Sequence, residues 1–213
     1  MVIVCRAWPS SPTTTEFGDN RGMGTAPIPR LTEKDYLALE RTATHKSEFV
    51  GGEVFAMFGG SARHSRLVGR VFSKLDAQLE GSPCAPFTSD LRVRTPLGDQ
   101  FYPDVSVCCG SIQMPDGSKD VYSNPIVIVE VLSPSTANYD RGLKFVLYRE
   151  IPSLSDYLIF HFDELHVEHY TRQPNNSWLL QHHHGEAARI SLPSIQCELA
   201  LASIYEGVQA WPG

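Results

Sequence analysis

A chain of 213 residues, 42% hydrophobic and 20% charged, has an ordinary globular composition and enough length for one domain with a core. Its formal net charge of −6 and pI near 5.7 exclude a protein that holds nucleic acid by bulk positive charge. Any such binding must come from a local patch, for which Arg63, Arg66, Arg70, Lys74, Arg92, Arg94, Arg141 and Lys144 are available.

Residues 7–30 are rich in Pro, Ser, Thr and Gly without periodicity, so residues 1–30 are expected to form a disordered leader ahead of a single domain over 31–213. A short amphipathic helix then opens at Leu31, with Thr32 as N-cap, Asp35 completing a capping box, and Tyr36, Leu37 and Leu39 as its apolar face. Gly51-Gly52 between apolar runs predicts a hairpin. A second helix is expected over 64–80, where Leu67, Val68, Val71, Phe72, Leu75 and Leu79 recur at three- and four-residue intervals. His64 falls in its first turn.

Strands are expected over 86–94 and 101–109 with a turn at 96–99, followed by a polar loop over 110–124. From Ile126 to Leu132 every residue but Glu130 is a large aliphatic one, the pattern of a strand covered on both faces. A carboxylate there costs several kcal/mol or more unless it is protonated, paired or bound to a metal. Asp104 poses the same problem on its own predicted strand, and two such acids make a shared cation the economical solution. A helix over 137–150 stacks Asp140, Lys144 and Tyr148 on one face and is expected to pack through Leu143, Val146 and Leu147. The remainder reads as strands over 156–162, 165–170, 178–182 and 195–201. His182-His183-His184 reads as a polar loop rather than a metal cluster, because adjacent side chains on an extended chain point to alternate sides. Five cysteines, Cys5, Cys84, Cys108, Cys109 and Cys197, lack Cys-x-x-Cys spacing and read as reduced thiols of a cytoplasmic protein. No apolar run approaches the roughly 20 residues of a membrane span.

Pro103-Asp104, then Glu130-Val131-Leu132-Ser133-Pro134-Ser135-Thr136, then Asp140-Arg141-Gly142-x-Lys144 and Tyr148 resemble the Uma-type "putative restriction endonuclease" family of the PD-(D/E)XK nuclease superfamily, over about residues 31–208. The resemblance implies an α/β (mixed α+β) fold, a restriction-endonuclease-like central mixed sheet flanked by helices, here with an additional β-rich C-terminal half. It implies a metal-dependent DNA endonuclease in which Asp104 and Glu130 are the paired acids. The third position of the (D/E)XK element is Leu132, not Lys; Lys144 on the next helix is the expected replacement, with Asp140 holding its ammonium and Gly142 leaving room for a close neighbour. His64 resembles a histidine the family carries at the head of the helix before the sheet core.

Phosphodiester hydrolysis needs a nucleophilic water and neutralisation of phosphoryl charge, which divalent ions on carboxylates supply. Asp104, Glu130 and the carbonyl of Val131 suffice for Mg²⁺, with Mn²⁺ as a substitute, and no organic cofactor is called for. DNA is the expected partner, and cutting both strands with one site per chain makes a homodimer the expected assembly. Two readings of other classes stand beside this one: a catalytically inactive nuclease-fold binding or assembly module, suggested by the acidic charge and the missing in-line lysine, and a β-rich small-molecule binding protein in which both acids are structural.

Overall fold

The computed structural model of the chain describes residues 30–57, 59–132 and 137–213. The predicted leader lies outside them but for Arg30, as does the turn at 133–136. Helix α1 (Glu33–Glu40) starts as the sequence predicts: the Thr32 side chain accepts from the Asp35 amide while the Asp35 carboxylate accepts from Thr32. Of its predicted apolar face only Tyr36 is buried. Strands β1 (Ser47–Val50) and β2 (Glu53–Ala56) form the expected hairpin, with Gly51 and Gly52 both at positive φ, 56° and 88°, as a two-residue primed turn requires. Helix α2 (Ala62–Leu79) is capped by Ser61 and buries Leu67, Val71, Leu75 and Leu79.

The two strands predicted next are each divided. In place of one strand over 86–94 there are β3 (Cys84–Thr88) and β4 (Arg92–Arg94), separated by a turn at Ser89-Asp90 that moves the chain from one sheet to another. In place of one over 101–109 there are β5 (Gln100–Phe101) and β6 (Val105–Cys109). Pro103 has no amide hydrogen for a ladder and ends the pairing, so Asp104 sits in a bend just before β6 and not within a strand. The predicted polar loop contains a short strand, β7 (Val121–Tyr122). Strand β8 (Val127–Val131) is buried throughout, as its composition demands. The following helix is composite: α3 (Ala137–Tyr139), a π turn (Asp140–Lys144) and α4 (Phe145–Tyr148). Next come β9 (Asp156–Phe160), β10 (His166–Arg172), β11 (Trp178–His184), β12 (Arg189–Leu192), β13 (Cys197–Ala200) and helix α5 (Leu201–Tyr205). The three histidines at 182–184 therefore belong to a strand, where a loop was expected.

A six-stranded sheet of order β11-β10-β9-β8-β6-β3 forms the centre; it is mixed, because β8 runs parallel to β9 and antiparallel to β6. A five-stranded sheet, β2-β1-β5-β4-β7, and the β12-β13 pair complete the fold. The period of two along β8 separates two cores. Val127, Val129 and Val131 join Leu67, Val71 and Leu75 of α2, together with Leu199 and Leu201, in an apolar core. Ile128 and Leu132 face the opposite way, into a second core with Tyr139 and Tyr148 of the composite helix and Val93 and Phe101 of the five-stranded sheet. Glu130, between Ile128 and Leu132, shares this second face.

Cys84 and Cys109 stand directly opposite each other on β3 and β6, with Cα atoms 3.9 Å apart, and are joined by a disulfide. This corrects the reading of every cysteine as a reduced thiol: antiparallel pairing brings together residues 25 apart that no local motif connects. Cys108 and Cys197 are free and buried. Among the described residues no helix is long and apolar enough to cross a membrane.

Candidate active site

On Val105↔Val129 and Ser106↔Ile128 pairing, the antiparallel register of β6 and β8 continues to set Asp104 opposite Glu130. Glu130 is 4% exposed, and its Oε1 accepts from Lys144 Nζ at 3.0 Å and from the Tyr148 hydroxyl at 3.0 Å. Lys144, 6% exposed, also lies 3.1 Å from Glu48 Oε1 and 3.4 Å from Asp140 Oδ1. Glu48 and Asp140 are equally buried, and the Tyr139 hydroxyl donates to Glu48 Oε2 at 2.9 Å. Glu48 comes from β1 in the five-stranded sheet, so both sheets and the composite helix contribute to one cluster of three acids around one ammonium.

Burial drives the Glu130 carboxyl well above the usual carboxylate range; Lys144 opposes that shift, and Asp140, Asp104 and Glu48 reinforce it. For Lys144, burial works against the charged form, but Glu130, Glu48 and Asp140 more than offset it and raise its pKa. The ammonium is therefore retained. An ion pair on the surface, the plainer reading of Asp140 and Lys144, is overturned by their burial.

The helix that delivers Lys144 is inverted relative to its sequence reading. Asp140, Lys144 and Tyr148 form its buried face, whereas Leu143 and Val146, expected to pack, are 37% and 41% exposed. The π turn carries both charged residues, and the Tyr157 hydroxyl of β9 donates to the Asp140 carbonyl at 3.0 Å, a side chain inserted into the helical ladder. Gly142 is exposed, and a Cβ there would meet nothing within 4 Å, so it does not serve the close neighbour expected of it.

Asp104 is 20% exposed, more open than a buried strand would leave it, and its Oδ2 accepts from the Val131 amide at 2.8 Å. His64, in the first turn of α2, sets Nε2 3.0 Å from the Val131 carbonyl and 3.4 Å from Asp104 Oδ2. Desolvation lowers the His64 pKa, but the hydrogen bond and charge of Asp104, with help from the Val131 carbonyl, raise it overall. Gly60 makes this position accessible: a Cβ there would lie 2.6 Å from His64 Nδ1. The imidazole thus touches two of the three oxygens assigned to a metal from sequence.

All four residues singled out in the sequence converge here, with Val131. Glu48 was missed, although the same signal marks it, an acid among the buried residues of a short strand. The basic patch fares less well. Arg92 is buried against Asp120 and the rings of Tyr36 and Tyr102, Arg94 is held by Glu33, Arg141 by Glu168, and Arg70 by Glu206 and the Ser203 carbonyl. Most of these cations are committed to the fold; Arg66 is exposed.

A mixed sheet flanked by helices, with acids meeting where two neighbouring strands pair, is the restriction-endonuclease-like architecture. A solved structure described as a putative nuclease of DUF820 from Anabaena variabilis has the same fold, with TM-score 0.70, 17% identity, and coverage of 84% of this chain and 99% of that one. Residues 33–203 match the Uma2 family, described as "Putative restriction endonuclease", and the chain belongs to that family. Two uncharacterised proteins of Synechocystis are similar along most of their length: slr1290, 36% identical over 86% of this chain and 95% of its own, and sll1609, 38% identical over 75% and 91%.

Proposed function

We propose that the protein is a Mg²⁺-dependent endodeoxyribonuclease, for which Mn²⁺ can substitute, acting through Asp104, Glu130, Lys144 and His64. The observation that carries this reading is the Lys144–Glu130 contact of 3.0 Å inside a cluster of buried acids. The donor set fits a hard cation. Three buried carboxylates face a single buried ammonium, and Glu48 Oε1, only 3.1 Å from Lys144 Nζ, lies off its hydrogen-bond directions and has no hydrogen-bond partner. Asp104, Glu130 and the Val131 carbonyl would hold the ion, which when bound supplies charge neutralisation at the phosphoryl oxygens and a more acidic water.

Lys144 orients the attacking water or stabilises charge on the phosphoryl group, held in position by Glu130, Glu48 and Asp140. His64 gives up its contacts with Asp104 and Val131 when the ion is held, and donates to substrate instead. DNA is the substrate and a homodimer the acting form, working in the cytoplasm.

The test is a DNA cleavage assay with Mg²⁺, Mn²⁺ and EDTA, run beside metal titration. Asp104→Ala and Glu130→Ala should abolish both cleavage and Mg²⁺ binding. Lys144→Ala should lower cleavage about 100-fold or more while sparing metal affinity. Unchanged Mg²⁺ and Mn²⁺ affinity in both acid variants would sink the reading.

A further inference from the structure

We propose that the β10–β11 hairpin carries a second metal site, a Zn²⁺-type transition-metal centre formed by His166, His182 and His184. In the antiparallel register His166 pairs with His184 and Glu168 with His182, so these four side chains share one face, while His183 pairs with Val167 on the other. The alternation that separates neighbouring histidines is what unites His182 with His184. One nitrogen from each of the three lies within 4.8 Å of the others. His166 Nε2 and His182 Nδ1 are 3.0 Å apart, close to the roughly 3.4 Å that separates two nitrogens of a tetrahedral zinc centre with bonds of about 2.0–2.1 Å. The His166 ring also stacks on that of His184 at 3.9 Å. His182 and His184 are exposed, so small ring rotations bring all three lone pairs to one point.

The surroundings prepare the buried member. His166 Nδ1 lies 3.2 Å from Glu164 Oε1; a proton donated there fixes the tautomer that leaves Nε2 as a ligand, the arrangement of a carboxylate–histidine–zinc triad. His161 stacks on His166 at 4.0 Å but has both nitrogens engaged, Nδ1 with Glu164 at 3.2 Å and Nε2 with Glu168 at 3.0 Å. Glu168 is in turn held by Arg141 at 2.6 Å. These residues form a wall and leave three imidazoles as the donors. Three nitrogens suit Zn²⁺, Ni²⁺ or Co²⁺ and not Mg²⁺, and a fourth position remains for water or an outside ligand. The site therefore selects a different ion from the acid cluster around Glu130.

The test uses full-length protein without a histidine tag, titrated with Zn²⁺ by calorimetry and with Co²⁺ by visible absorption. One Zn²⁺ per chain is expected, together with the visible bands of Co²⁺ in a low-symmetry nitrogen site. His182→Ala and His184→Ala should each weaken Zn²⁺ binding at least about tenfold, whereas His183→Ala, Asp104→Ala and Glu130→Ala should leave it unchanged. No Zn²⁺ uptake by the native chain, an unaltered affinity in the H182A/H184A double variant, or an equal loss in H183A would overturn the proposal. Because the acid variants retain Zn²⁺ under this proposal, its failure and that of the nuclease reading are separable.

Discussion

Helix α2 and the composite helix of α3, the π turn and α4 lie on opposite faces of the same sheet and obey opposite rules. Helix α2 buries Leu67, Val71 and Leu75 and turns Ser65, Arg66 and Asp76 outward. The composite helix buries Asp140 and Lys144 and leaves Leu143 and Val146 to solvent. Apolar burial is worth roughly 25 cal/mol per Å² without regard to direction, so an inverted helix needs a larger and directional compensation. The Lys144 cluster supplies it, since an ammonium among Glu130, Glu48 and Asp140 costs more to expose to a wrong partner than two aliphatic side chains cost to leave in water.

The contrast can be broken most sharply at Lys144. Removing the ammonium leaves three buried acids without their cation, and Lys144→Ala should cost about 3–5 kcal/mol in urea unfolding at neutral pH; a loss no larger than at an exposed lysine would show that the inversion carries no weight. On the other side of the sheet, Leu75→Ala should cost about 3 kcal/mol through lost burial and a cavity, with no dependence on pH.

A smaller effect comes from an ion pair that is only partly shielded. Glu33 accepts from Arg94 at 2.5 and 2.8 Å and from Gln100 at 2.8 Å, and the Arg94 hydrogen bonds hold its carboxyl below the usual range against the opposing effect of burial. Because the folded pKa is lowered, the stabilisation is fully present above the ordinary glutamate value and is lost as pH falls through the depressed one. Glu33→Gln should therefore cost about 1 kcal/mol or less at pH 7, and the difference from the native chain should vanish in acid; a constant difference across that range would contradict the assignment. Least of all, Leu143→Lys and Val146→Gln should each change stability by within about 0.5 kcal/mol, although by sequence they belong to a packed face.

Much of the fold is legible in local chemistry: the Thr32–Asp35 capping box, the Gly51-Gly52 turn, the periodicity of α2 and the aliphatic run of β8 each specify their element. The errors have physical causes. Pro103 and the Ser89-Asp90 turn divide runs whose composition is uniformly strand-like, and residue content alone does not say which sheet a strand joins. The cysteine pair and the histidine triad depend on register, a relation between distant segments. Glu48 was hidden because its partners lie on another sheet and another helix. The composite helix misled because hydrophobic period identifies a packed face only where the buried residues are apolar.

The π turn has a consequence for chain length. A turn wider than an α-helical one accommodates a residue that a regular helix would not, so the loss of any one residue between Asp140 and Lys144 would restore regular winding and rotate everything beyond it by about 100°. Tyr148 would leave Glu130, and Phe145 would leave the ring cluster of Tyr157, Tyr170 and Trp178. A single-residue deletion in this short interval is therefore a change of phase. Insertions and deletions among related chains should accumulate in the surface loops and spare these five positions, even where the residues themselves vary.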